Sequence, residues 1–420
     1  MSIARWYRVA FILILATLVL TGSALASTDQ KARARAFTRA MEFDYVSWTL
    51  DALEIKLEQA ALDAQAYLPP QNWGQVVLDY LDLIREIQRT ESELNQIFAD
   101  PDIRDPQAAA SPLVTQLERL NAQRDLLGPL AESIVQDQIS IIVAELGLSF
   151  GGQPIPPVLY RTSTLPTALI VSPRDVIRQD ENISLQPDLR VDLRAEVEEQ
   201  VDAALNVSSL VVDVGGIGIY PTMVLQTSNL DFLTEVVAHE WTHNFLTLRP
   251  LGLNYLKNAQ LRTMNETAAS IAGREIGRAV LERYYPEQVH PPPPPLPPET
   301  AEPITPPAFD FRAEMRETRV TTDRLLAEGK IDEAEAYMEV RRRFFIDNGY
   351  AIRKLNQAYF AFHGAYADQP GGAAGEDPVG AAVRQLREDS PSLAAFLKRI
   401  AWMTSFEELQ EAVGDVETWR

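Results

Sequence analysis

Between about residues 30 and 145 apolar side chains return every three or four positions, as at Leu50, Leu53, Ile55 and Leu57 and again at Tyr80, Leu83, Ile84 and Ile87. That is the period of helices with one buried face. Pro69-Pro70 and the stretch 100–112 divide the region into three long helices. They read as a hairpin or bundle packed against the rest of the chain, with a partner-binding coiled coil as the other reading. From about 150 to 228 the period shortens. Aliphatic and β-branched runs at 157–161, 168–172, 210–214 and 219–226 stand between turn residues and predict a small sheet, interrupted by a helix at 193–205. Helices resume from Leu230 to about Tyr285. His290 is then followed by Pro291 to Pro295, Pro297, Pro298, Pro303, Pro306 and Pro307, a run that reads as an exposed polyproline spacer. Beyond it 311–369 and 379–413 are helical, separated by a loop with Gly371, Gly372 and Gly375. The expected fold is α+β and predominantly helical. Its parts are a helical module at 27–147, a mixed sheet-and-helix domain at 148–289, a linker at 290–308 and a C-terminal helical domain at 309–420.

Composition narrows the chemistry. The 420 residues carry 59 acidic against 38 basic side chains, a net charge of −21. With no basic patch to neutralise phosphates, nucleic acid is not an expected partner. The cysteine count is 0, so disulfides, thiolate metal sites and a cysteine nucleophile are excluded, and any metal must be held by His, Asp or Glu. Arg5 and Arg8 precede an apolar run at 9–20, and Ala24-Leu25-Ala26 supplies small residues at alternate positions. This reads as a signal peptide over 1–26 and an exported protein, secreted or, if residues 9–26 are retained, tethered to the membrane.

His239-Glu240-Trp241-Thr242-His243 fits the H-E-x-x-H pattern, which puts two imidazoles on one helix face where they can share one Zn²⁺. With only 4 histidines in the chain, a chance match is of order a few in a thousand. Ser228 with Asp231 caps the start of this helix, Pro250 and Gly252 stop it, and apolar residues go almost all the way round, so it should be buried. Buried imidazoles and a carboxylate need partners, which a metal supplies. A third ligand is required, and Glu266 on the next helix is the candidate. Ala269, Ser270, Gly273 and Gly277 share its face and permit close approach to the buried helix. The plain alternative is a solvated first-turn glutamate. Glu275 falls on the opposite face and is a runner-up. Glu240 points about 100° away from His239 and is placed to activate a water held by the metal.

These motifs resemble those of the gluzincin metallopeptidases, which combine HExxH with a glutamate ligand on a following helix; the resemblance covers about 210–285. It implies a zincin-like catalytic domain, one zinc ion per chain held by His239, His243 and Glu266, Glu240 as general base and a peptide or protein substrate. A second similarity, to a bacterial aminopeptidase family, is carried by an arginine-rich C-terminal helix followed by Leu355-Asn356-Gln357-Ala358. In the gluzincin plan 219–226 would be an edge strand along which a peptide can add, or else a plain core strand. An oxyanion donor is also needed. Arg353, Asn356, Tyr359, His363 and Tyr366 form a polar and aromatic stripe, from which His363 is the first candidate, with Tyr359 and Tyr366 next and His290 a poor rival. The functional expectation is an exported zinc metallopeptidase, exo- or endo-acting, and the alternative is a non-catalytic zincin-like binding or scaffold protein of the cell envelope. N-terminal sequencing of secreted material is expected to begin near Ser27; an intact Met1 end in the membrane fraction would show a retained anchor instead.

Overall fold

The computed structural model describes residues 29–99, 104–187, 189–289, 309–350, 352–363 and 378–414. The signal segment, His290 with the polyproline run, Tyr366 and the Gly371–Gly375 loop lie outside them. The chain is α+β and predominantly helical.

Four helices open the described chain: α1 (Gln30–Thr38), α2 (Tyr45–Leu62), α3 (Trp73–Ala99) and α4 (Pro106–Glu145). Asp44 caps α2 by accepting from the Val46 and Ser47 amides, and Asp105 caps α4 through the Ala108 amide at 3.0 Å. The break predicted at 100–112 is shorter than expected. Pro106 occupies the first helical position, where it removes no bond, and α4 continues through Pro112 and Pro129. Helices α3 and α4 pack on each other, with Tyr80 against Gly128, and both feed the largest core, α3 through Val77, Leu81 and Ile84 and α4 through Ile134, Val135 and Ile139.

Helix α2 packs on a face that its apolar pattern does not predict. Leu50 and Leu57 are 63% and 71% exposed, and the buried positions are Ala52, Lys56 and Gln59. The reason is a buried polar knot: Lys56 Nζ lies 2.8 Å from Glu132 Oε2 on α4, and Glu132 Oε1 accepts from the Thr162 amide at 2.9 Å. Burial alone would raise the Glu132 carboxyl, but the charges of Lys56 and Arg161 hold it below the usual carboxylate range.

Two three-stranded sheets stand where one was expected, with a small hairpin of β1 (Ser149–Phe150) and β2 (Gln153–Pro154) ahead of them. In the first sheet β4 (Thr167–Pro173) lies between β5 (Glu181–Leu185) and β6 (Val207–Val212), antiparallel to both. Strand β4 is a continuous apolar run because both its faces are covered. Leu169 and Val171 face the helix α5 (Val191–Leu205) side with Val197 and Val201, while Ala168 and Ile170 face Ala358. In the second, β8 (Thr222–Leu225) is central, parallel to β3 (Tyr160–Ser163) and antiparallel to the edge strand β7 (Gly216–Ile217).

Helices α6 (Leu230–Thr247), α7 (Pro250–Leu253) and α8 (Ala259–Tyr284) follow. After them come α9 (Phe311–Ala327), α10 (Ile331–Asp347), α11 (Gln357–His363), α12 (Pro378–Glu388), α13 (Leu393–Ile400) and α14 (Phe406–Gly414). The largest core draws Ile84 and Ile139 from the N-terminal helices, Trp241 and Met264 from α6 and α8, and Val383 and Phe396 from the C-terminal helices. The boundary at 147/148 is therefore continuous in packing. Removing Lys56 alone (Lys56→Met) should cost about 3 kcal/mol of unfolding free energy, and adding Glu132→Gln, which is neutral and still accepts from Thr162, should restore most of it in urea titrations. Equal stabilities of single and double variants would show that the pair is not coupled.

Candidate metal centre

Asn229, rather than Ser228, caps α6: its Oδ1 accepts from the Phe232 amide at 3.0 Å, while Ser228 Oγ donates to Gln88 on α3. Leu233, Val237, Trp241 and Phe245 bury the helix, and the Trp241 indole donates to the Pro156 carbonyl at 2.8 Å. His239 and His243, four residues apart, bring their Nε2 atoms to 3.0 Å.

Helix α8 is capped by Asn258, which accepts from the Leu261 amide at 2.8 Å, and it crosses α6 along its small-residue face. A Cβ placed on Gly273 would stand 2.9 Å from the Glu235 carbonyl and 3.0 Å from His239 Cβ; one on Gly277 would stand 3.0 Å from the Glu235 nitrogen. The two backbones are thus as close as glycine allows. That crossing sets Glu266 Oε2 3.4 Å from His243 Nε2 and 3.6 Å from His239 Nε2.

The three atoms make a triangle with edges of 3.0, 3.4 and 3.6 Å. A tetrahedral ion with bonds of about 2.0–2.1 Å has ligand edges of about 3.3–3.4 Å, so the donor set has the size of one ion. The remaining valences agree. Glu266 Oε2 is buried with no hydrogen-bond partner, while Oε1 accepts from the Tyr255 hydroxyl. His243 Nδ1 lies 2.7 Å from Asn265 Oδ1 and donates to it, which leaves the Nε2 lone pair facing the triangle. Ser270 Oγ lies 3.4 Å from His239 Nδ1. These groups can hold a metal ion. Without one, burial lowers the His243 pKa, but the Glu266 carboxylate beside it outweighs burial and raises it to about 9. Burial likewise works against ionisation of Glu266, yet the two imidazoles hold it well below the carboxylate range. The triangle therefore keeps a proton that a metal would displace.

A cleft of about 460 Å³ opens on this group, with Glu240, His243, Asn265 and Glu266 in its wall. Glu240 is buried, and that burial raises its pKa against the opposing charges of His239 and His243. Gly216 lies directly over its carboxylate, where a Cβ would be 2.6 Å from Oε1. The edges of the second sheet are β3 and β7, of which β7 lies at the cleft, and the segment 219–226 holds the central strand β8. That segment pairs on both sides because its second neighbour, β3, comes from some sixty residues upstream.

Of the oxyanion candidates, His363 and Tyr359 are not in the wall of the cleft. The His363 and Tyr359 rings lie against each other, tilted by 49° with centroids 4.4 Å apart, and α11 presents Phe362 to the cleft instead. Burial lowers the His363 pKa to about 4. The polar stripe holds α11 in place: Asn356 Nδ2 donates to the Ser209 carbonyl at 2.9 Å, its Oδ1 caps the Tyr359 amide, and Arg353 pairs with Glu198 at 2.9 Å. Glu275 pairs with Arg387 at 2.7 Å and takes no part in the triangle. Tyr255, Arg262 and Asn265 line the cleft without having been foreseen. Arg262 and Asn265 carried a usable signal, being four residues and one residue before Glu266; Tyr255 lies between helices, where no periodicity points to it.

Comparisons with family models, with curated proteins and with solved structures return no match to this chain.

With Zn²⁺ as the probe, Glu266→Ala should lower metal affinity by at least about 100-fold, and Asn265→Ala, which removes only the support of His243, by about 10- to 100-fold. Metal titration of folded variants checks this, and unchanged affinity in Glu266→Ala would remove it from the ligand set.

Proposed function

We propose that this protein is an exported zinc metallopeptidase of the gluzincin type, with a zincin-like centre on α6 and α8. The observation that carries the reading is the triangle of His239, His243 and Glu266 with Glu240 buried beside it on the wall of an open cleft. A scaffold would have no use for a carboxylate kept at raised pKa next to a metal site, whereas a hydrolase requires one.

Zinc held by the three ligands would supply an acidified water and a polarised substrate carbonyl. The rest belongs to the chain. Glu240 takes the proton of the attacking water and passes it to the leaving amine; its burial brings it nearer the working pH of a base. Asn265 holds the His243 tautomer. Gly216, by lacking a side chain, leaves room above Glu240, and the edge of β7 offers backbone groups to an extended peptide. Tyr255, in the cleft wall and edge-on to His243 with centroids 6.2 Å apart, donates its hydroxyl to Glu266 and so steadies the third ligand. Export rests on residues 1–26. Among the described residues one helical stretch, Gln107–Glu145, is long and apolar enough to cross a membrane, and half of its apolar window is buried in the core.

Glu240→Gln should bind zinc as the wild type does and hydrolyse a mixed peptide library at least about 10²-fold more slowly. Undiminished hydrolysis in protein freed of contaminating proteases would remove Glu240 from the mechanism, and loss of zinc would make it a ligand.

A further inference from the structure

Arg262 stands one helical turn before Glu266 on the same face of α8, about 5–6 Å along the axis, and lines the same cleft. It is only 7% exposed. Nη2 donates to the Ala361 carbonyl at 2.9 Å, and Nε is enclosed with no partner. Among the described residues Nη1 also has no hydrogen-bond partner, but it is not enclosed, so it is the part of the guanidinium left accessible in the cleft wall. Among the described residues no carboxylate lies within ion-pair distance of it. Of the partly buried arginines, Arg174, Arg353 and Arg387 each hold a glutamate at 2.7, 2.5 and 2.7 Å, while Arg249 has its guanidinium over the Phe245 ring and donates to the Phe245 carbonyl. In a chain with 59 acidic residues, Arg262 is the most buried of these guanidiniums and yet has no acid beside it. A buried charge without a counter-charge is costly, and the cost is removed when a ligand brings the anion.

We infer that Arg262 is a specificity residue that binds a carboxylate of the substrate, next to the scissile bond. The inference rests on the peptidase reading for what is cleaved, but the binding it describes does not require turnover. A guanidinium end presents two N–H groups from Nη1 in the plane that a carboxylate accepts. Phe362, Ala168 and Val214 line the same cleft and give it apolar wall. The substrate class is thus a peptide with a carboxylate close to the cleaved bond, supplied either by a free C-terminus or by an acidic side chain.

The test uses the full-length chain carrying Glu240→Gln, loaded with zinc, so that bound peptide is not consumed. Calorimetry compares an N-acetylated tripeptide ending in a free carboxylate with its C-terminal amide, and an amidated tripeptide ending in Glu with the same peptide ending in Gln. In at least one pair the carboxylate form should bind about 10-fold tighter or more, the scale of a hydrogen bond to a charged group. The pair that shows the preference identifies the source. Adding Arg262→Gln should bring that ratio to about 1, and Arg262→Lys should keep part of it. Equal binding within both pairs, a preference that survives Arg262→Gln, or no binding of any carboxylated peptide overturns the inference. Zinc content of the same samples and hydrolysis by the wild type are read separately. Their absence defeats the peptidase reading, while a carboxylate preference lost with Arg262 still establishes the site.

Discussion

The crossing of α6 and α8 is the constraint on which the rest of this molecule depends. Two imidazoles on one helix and a carboxylate on another become a single centre only because Gly273 and Gly277 let the backbones meet, with no room for a Cβ at either contact. Metal coordination tolerates only a few tenths of an ångström, and a methyl group at this crossing would push apart the two backbones that hold the ligands. The same closeness buries Glu240 and Glu266, raising the Glu240 carboxyl above its usual value and leaving one oxygen of Glu266 with no hydrogen-bond donor among the described residues.

The surrounding architecture serves that crossing. Helices α3 and α4 share the core of α6 and α8, so the N-terminal helices are part of the support of the centre. Lys56 and Glu132 fasten α2 to α4 from inside, and the start of α2 reaches the far wall of the cleft, where the Tyr45 hydroxyl donates to Ser184 at 2.7 Å. On the other side α11 is pinned to β6 by Asn356, and from there it sends Phe362 into the cleft and the Ala361 carbonyl to Arg262. Helices, strands and terminal regions thus converge on one opening although they are distant in sequence.

Much of this was legible in the chain. Helical periodicity located α3, α4, α6 and α8. The rarity of histidine made the H-E-x-x-H spacing informative, and the small residues after Glu266 marked the face that meets α6. What was not legible depended on distant pairing or on environment. The strand 219–226 reads alike at an edge or in a centre, and its parallel partner β3 decides which. Strand β5 went unnoticed because only Ile183 and Leu185 face inward between Glu181, Asn182 and Ser184. Leu50 and Leu57 have helical spacing whether they face core or water, and the buried Lys56–Glu132 pair turned them outward. The stripe through His363 has the same pattern whether it faces a cleft or the sheet, and hydrogen bonds from Asn356 and Arg353 settle it against the sheet.

The most direct measurement of the centre is an anomalous difference map, recorded at the zinc absorption edge, from crystals of the zinc-loaded full-length protein. The expected result is one strong peak per chain, about 2.0–2.2 Å from His239 Nε2, His243 Nε2 and a Glu266 carboxylate oxygen, with Glu240 outside bonding distance. No peak within reach of these three atoms, or a peak bound by Glu240 in place of Glu266, would contradict the assignment of the centre.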